Sequence, residues 1–110
     1  MNFDINTVVI GGRLTRDPRF ASTDGGSMLT EFPVAINRRF HTSTGESRRE
    51  TTFIDVIVWG KDKVAFVAES LAKGSGVIVE GRLERVEWVS NDGTKRNRIR
   101  VVAEKLYNDD

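Results

Sequence analysis

Only one stretch of this chain, Lys61–Leu71, spaces its apolar residues as a helix would. Val64, Val67, Ala68 and Leu71 fall at i, i+3, i+4 and i+7. Lys73 and Gly74 follow, supplying the charge and the glycine that favour a helix end. Wherever else the apolar residues recur regularly, they recur every second position, which is the period of a strand. A chain patterned in this way buries its apolar faces in sheet, with a single helix to cover part of it.

Five segments carry the strand pattern. Thr7–Leu14 sets Val8, Ile10, Gly12 and Leu14 against Val9, Gly11 and Arg13, and its glycines allow a bend. Asp17-Pro18 breaks it, and Ser22–Ser27, with Gly25-Gly26, reads as a turn. Leu29–Asn37 follows, with Phe32, Val34 and Ile36 on one face. Its Pro33 has no donor and requires an edge or a bulge. His41–Glu50 reads as a long polar loop around Gly45.

Thr51–Trp59, rich in β-branched and aromatic residues, places Ile54, Val56 and Val58 on one face. Phe53, Asp55, Ile57 and Trp59 take the other, wetter one. Gly76–Trp88 turns Val77, Val79 and Leu83 inward and Glu80, Arg82, Glu84 and Trp88 outward. Asn91-Asp92-Gly93 is a hairpin turn, and Arg96–Glu104 returns with Ile99, Val101 and Ala103 opposite Arg96, Arg98 and Arg100. Three strands, one helix and two strands predict an all-β chain with one helix: an OB-fold, the five-stranded Greek-key barrel with its helix between strands 3 and 4. A glycine-bent first strand and a long fourth one are what closing a small barrel requires.

A length of 110 residues suits one domain, spanning residues 1–110. With 38 % hydrophobic residues the core is modest, so self-association is a route to further burial. The absence of cysteine excludes disulfides and thiolate metal sites and fits a reducing cytoplasm. Met1-Asn2-Phe3-Asp4 lacks the pattern of a signal peptide, and no apolar run approaches the roughly 18 residues of a membrane span. Cytoplasmic location and no membrane partner are therefore expected.

Chemistry finds little support. His41 is the only histidine and sits near Ser43 and Ser47 in a segment whose hydroxyls serve solubility. No acidic cluster has calcium-loop spacing, and Gly11-Gly12 and Gly74-x-Gly76 complete no nucleotide fingerprint. Asp55 is a lone strand carboxylate, suited to pairing with an arginine. The chain is expected to be no enzyme and to carry no cofactor and no metal.

Four rings point elsewhere. Phe32 and Phe66 have core positions, but Phe53, Trp59 and Trp88 share faces with charged residues, and Phe40 follows Arg38-Arg39. Basic residues number 17 against 16 acidic, yet they cluster: Arg13, Arg16 and Arg19; Arg38, Arg39, Arg48 and Arg49; Lys95, Arg96, Arg98 and Arg100. Twelve of the 17 are arginine, the better partner of phosphate and of flat rings. Exposed rings beside arginines on a sheet suit the stacking of unpaired bases.

Several stretches in sequence order resemble the bacterial single-stranded DNA-binding protein family, SSB. They are Gly12-Arg13-Leu14-Thr15-Arg16-Asp17-Pro18, Ala35-Ile36-Asn37-Arg38-Arg39-Phe40 leading to Gly45-Glu46, and Glu50-Thr51-Thr52-Phe53-Ile54-Asp55-Val56-Ile57-Val58-Trp59-Gly60-Lys61. Leu71-Ala72-Lys73-Gly74-Ser75, Val79-Glu80-Gly81-Arg82-Leu83, Trp88 and Asp92-Gly93 continue the match over nearly the whole chain.

The resemblance implies an OB-fold, usually a homotetramer with a dimer as the smaller possibility, that sheathes single-stranded DNA in replication, recombination and repair without sequence preference. It implies base stacking by Phe40, Phe53, Trp59 and Trp88. Arg38, Arg39, Arg82, Arg96 and Arg98 are assigned to backbone phosphates, and Thr7–Leu14 to a subunit contact.

The chain departs from the family at Asn97 and Ser70, where tyrosines are common, and in a longer Ser22–Met28 turn. It ends at Asn108-Asp109-Asp110 without the family's glycine- and proline-rich tail and acidic tip, as either a removed tail or a short paralog would, which puts partners recruited through that tail in doubt. A primosome-type adaptor dimer and an oligosaccharide-binding OB domain are the alternative readings.

Overall fold

A computed structural model describes residues 3–110. Its elements are β1 (Val8–Leu14), β2 (Arg19–Ser22), β3 (Met28–His41), β4 (Ser47–Trp59), α1 (Lys61–Ser70), β5 (Gly76–Val89) and β6 (Lys95–Asn108). Neighbouring strands run β1-β5-β6-β4-β3, and β1 pairs again with β3 at Arg13–Ala35 and Leu14–Val34, which closes the sheet into a barrel. Every pairing is antiparallel except that of β4 with β6, where Val56–Val58 run alongside Val101–Ala103. The short β2, absent from the sequence reading, hangs on β3 as a ribbon outside the barrel. Leaving β2 aside, the helix follows the third of five barrel strands, as the pattern predicted.

The inward positions form one core. Phe32, Val34, Val56, Val58, Val67, Val77, Val79 and Val101 are fully buried, with Leu14, Leu71 and Ala103 around them. Each such side chain stabilises the fold by about 1.5–3 kcal/mol relative to exposure. Closure demands two glycines. A Cβ on Gly12 would strike the Ala35 carbonyl where β1 meets β3, and one on Gly81 would strike the Val102 carbonyl. Gly81 lies at the one register shift between β5 and β6, where Glu104 is the extra residue of β6. β5 keeps its alternation through this point, and β6 changes phase beyond it.

Pro33 needs no bulge. It stands opposite Asp55 on the β4 side, and on its other edge it falls between the residues that pair with β2 and those that pair with β1. Its carbonyl accepts the Thr15 N–H at 3.1 Å, so its donorless nitrogen faces the same gap.

Four expectations are corrected. His41–Glu50 is mostly strand: Arg38, Arg39, Phe40 and His41 pair with Glu50, Arg49, Arg48 and Ser47, and only Thr42–Glu46 turns. The alternation was hidden because this ribbon has water on both faces and so needs no apolar side. Leu83 is not core but 41 % exposed, because the β5–β6 hairpin runs past the end of the barrel there. The helix stops at Ser70, before Gly74, because Leu71 adopts an extended backbone that drops its side chain into the core. Ala68 lies on the exposed side of α1.

Candidate nucleic-acid interface

Alternation along β4 turns Phe53, Asp55, Ile57 and Trp59 away from the core. Register carries that outer face to Ala35, Pro33, Glu31 and Leu29 on β3. Beyond β4 it continues to Arg96, Arg98 and Arg100 on β6, which lie opposite Trp88, Val86 and Glu84 on β5. Side-chain contacts across three strand boundaries join these positions into one surface. The Arg98 guanidinium meets Asp55 at 3.2 Å and Glu31 at 3.8 Å, and lies 5.8 Å from the centroid of the Trp88 ring. Arg100 bridges Glu84 at 2.6 Å and Glu31 at 3.4 Å.

Phe53, Trp59 and Trp88 are therefore brought together on one face. They are 67, 37 and 42 % exposed. Phe53 and Trp88 sit toward the same end of the paired strands, while Trp59 lies six residues further along β4, about 20 Å at strand spacing. Both tryptophans border shallow hollows with cations on the rim: Lys61 beside Trp59, and Arg85, Lys95 and Arg96 beside Trp88.

Phe40 is placed differently. It shares the parity of Phe32, Val34 and Ile36, but at its level the ribbon has left the barrel, so that parity faces water. The ring lies on the reverse of the ribbon under the Arg38 guanidinium, 4.6 Å from its centroid. This reverse face is electrically satisfied, since Arg38 meets Glu50 at 2.8 Å and Arg48 meets Glu46 at 2.9 Å.

The five arginines singled out from sequence fall into three settings. Arg39 is exposed on the outer face of the ribbon, directly opposite Arg49, and neither forms an ion pair among the described residues. Arg96 and Arg82 are exposed with loose acidic neighbours, Asp92 at 3.9 Å and Glu104 at 3.6 Å. Arg38 and Arg98 each have one closer carboxylate, Glu50 at 2.8 Å and Asp55 at 3.2 Å. Arg49 belongs to the basic cluster read from sequence but carries no phosphate assignment there, because an unpaired loop gives it no partner; once the ribbon is paired, its register with Arg39 singles it out. The carboxylate–guanidinium cluster of Glu31, Asp55, Glu84, Arg98 and Arg100 escaped the sequence reading, since it joins four strands with no signature in local sequence.

No group of histidine and acidic side chains suited to a metal occurs among the described residues, and none of their helices is long and apolar enough to cross a membrane. The one clearly displaced carboxyl is Asp92 in the β5–β6 turn, lowered to about 2, first by the Ser90 hydroxyl and then by the Thr94 backbone N–H. What the face offers is flat apolar rings, interleaved charge and an open approach, which suits stacking.

The profile of the single-strand binding protein family matches residues 5–108. Single-stranded DNA-binding protein 2 of Chlorobaculum tepidum is 35 % identical over 104 residues, covering 94 % of this chain and 70 % of the relative. The single-stranded DNA-binding protein of Aquifex aeolicus is 38 % identical over 102 residues, covering 93 and 68 %. Among solved structures, a deletion mutant of the single-stranded DNA binding protein from Thermus aquaticus superposes with a TM-score of 0.83 at 29 % identity, over 96 % of this chain and 51 % of that one. A Plasmodium falciparum SSB complex with ssDNA superposes over the full length of both chains with a TM-score of 0.90; at 23 % identity it bears on the fold alone.

Proposed function

The chain belongs to the single-strand binding protein family, and from that premise we propose that it sheathes single-stranded DNA without sequence preference. One observation carries the reading: three large rings stand exposed on a single continuous face of the barrel. Phe53, Trp59 and Trp88 stack on bases there, each stack contributing roughly 1–3 kcal/mol whichever base is present. Phe40, on the reverse of the β3–β4 ribbon, meets the strand only where it passes around that ribbon. Arg39, Arg49 and Arg96 hold phosphates along the rim, each neutralised phosphate adding about 0.7 to the magnitude of the salt slope. Arg38 and Arg82 are secondary contacts, already engaged with Glu50 and Glu104.

The protein performs no catalysis in this reading. It works in the cytoplasm on strands exposed by replication, recombination and repair. It assembles as a homotetramer through β1, whose Val8–Gly12 edge opposite β5 pairs with no strand among the described residues and whose Val9 is 63 % exposed.

Titration with oligo(dT) of several lengths, followed by tryptophan fluorescence at two salt concentrations, tests the proposal. Both tryptophans lie on the stacking face, so strong quenching that weakens with salt is expected. Fluorescence unchanged at low salt, with duplex DNA giving the same null result, would refute it.

A further inference from the structure

A surface meant to receive a polyanion carries, at its centre, more acid than base. Glu31, Asp55 and Glu84 supply three carboxylates against the two guanidiniums of Arg98 and Arg100, leaving one formal negative charge in the cluster. Glu31 joins the two halves, giving Oε2 to Arg98 and Oε1 to Arg100. Arg100 is only 15 % exposed and fully engaged. Arg98, 43 % exposed, donates one hydrogen bond to Asp55 at 3.2 Å, has Glu31 at 3.8 Å from its other terminal nitrogen, and places its guanidinium carbon 5.8 Å from the Trp88 ring centroid.

An arginine so held has little charge to offer a phosphate, because an incoming phosphate would have to displace Asp55 or be repelled by it at close range. The Asp55 hydrogen bond orients the guanidinium, and a cation over an indole face attracts the ring through its quadrupole. Arginines without an ion pair among the described residues lie elsewhere, at Arg39 and Arg49 on the ribbon and at Arg16 and Arg19 beyond β1.

We infer that Arg98, caged by Asp55 and Glu31, is a positioning residue that holds Trp88 for stacking and binds no phosphate. The inference rests on the stacking face proposed above. The cluster as a whole is a charge-neutral to slightly acidic floor between the rings. It keeps phosphates at the rim and leaves the middle of the face to bases, which carry no charge.

Salt-dependent titration of oligo(dT) against Arg98→Ala, Arg98→Lys and Arg39→Ala tests this, with the wild-type titration as its premise. Arg98→Ala should weaken binding about two- to five-fold, the fold-change of an exposed cation–π contact. The slope of log K on log salt should match wild type, whereas Arg39→Ala should lose about 0.7 of it. Arg98→Lys retains the charge but not the plane, and should resemble Arg98→Ala. A slope reduced by about 0.7 in Arg98→Ala, full affinity in Arg98→Lys, or no loss in either variant would each overturn the inference.

A readout that needs no DNA separates the two claims. In a Trp59→Phe background the remaining emission is that of Trp88, and Arg98→Ala should shift it in the free protein. Failure of wild type to bind oligo(dT) would sink the proposed function, while an unmoved Trp88 emission would sink the positioning role alone.

Discussion

Arg39 and Arg49 stand directly opposite each other on the outer face of the β3–β4 ribbon, two like charges in register. Such a pair costs stability, on the scale of roughly 0.2–1 kcal/mol that cross-strand pairs carry. The nearby acids, Glu50 beside Arg49 and Glu46 in the turn, neutralise Arg38 and Arg48 on the reverse face instead. The outer pair is left to attract an external anion. Arg49→Ser should therefore keep or slightly raise the melting temperature while taking about 0.7 from the salt slope of oligo(dT) binding. A lowered melting temperature with an unchanged slope would show that Arg49 serves the fold instead.

Ring exposure separates binding from stability. Phe53 is mostly exposed and Phe32 is wholly buried, although the two lie on adjacent paired strands. Phe53→Ala and Trp88→Ala should each cost about 1–3 kcal/mol of oligo(dT) binding and move the melting temperature little. Phe32→Ala should cost about 3–5 kcal/mol of folding stability. Denaturant unfolding and fluorescence titration of the same three variants check the contrast. A collapse of stability in Trp88→Ala would return that ring to the core.

Legibility from sequence followed burial on one side. Strands with one face in the core, such as Thr51–Trp59, announce themselves by alternation, and from these the barrel order and the three-ring face could be read. The ribbon at residues 38–50 is wet on both faces, so nothing in its composition distinguishes paired strand from loop, and the register of Arg49 with Arg39 and the reversed placement of Phe40 were hidden with it. Leu83 failed for a related reason: parity gives the face of a strand but not where the barrel ends beneath it. The Glu31–Arg98–Asp55 cage depends on register among non-consecutive strands, which no local pattern encodes.

Two glycines fix the closure, and they should be intolerant of the smallest change. The Cβ of Gly81→Ala would meet the Val102 carbonyl and that of Gly12→Ala the Ala35 carbonyl, both rigid backbone. Gly11, beside Gly12, has its nearest neighbour at 3.7 Å and is the control. Gly12→Ala and Gly81→Ala should each destabilise by at least the ~1–3 kcal/mol typical of overpacking. Gly11→Ala should fall well below that. Equal effects at Gly11 and Gly12 in urea unfolding would mean that glycine matters here for strand entropy and not for closure.

The β5–β6 turn carries the clearest acid sensitivity. Asp92 accepts hydrogen bonds from the Ser90 hydroxyl and the Thr94 N–H, and its pKa falls to about 2 from an ordinary 3.8. A carboxyl depressed in the folded state contributes stability that is fully present above its unfolded value and is lost as pH falls through the folded one. The turn should thus hold above about pH 4 and loosen toward pH 2. Following the Asp92 carboxyl carbon by NMR gives the midpoint directly. Ser90→Ala, which removes the largest cause, should move that midpoint upward and speed amide exchange at Gly93. A midpoint still near 2 in Ser90→Ala would assign the depression to Thr94 and the Asp92 backbone instead.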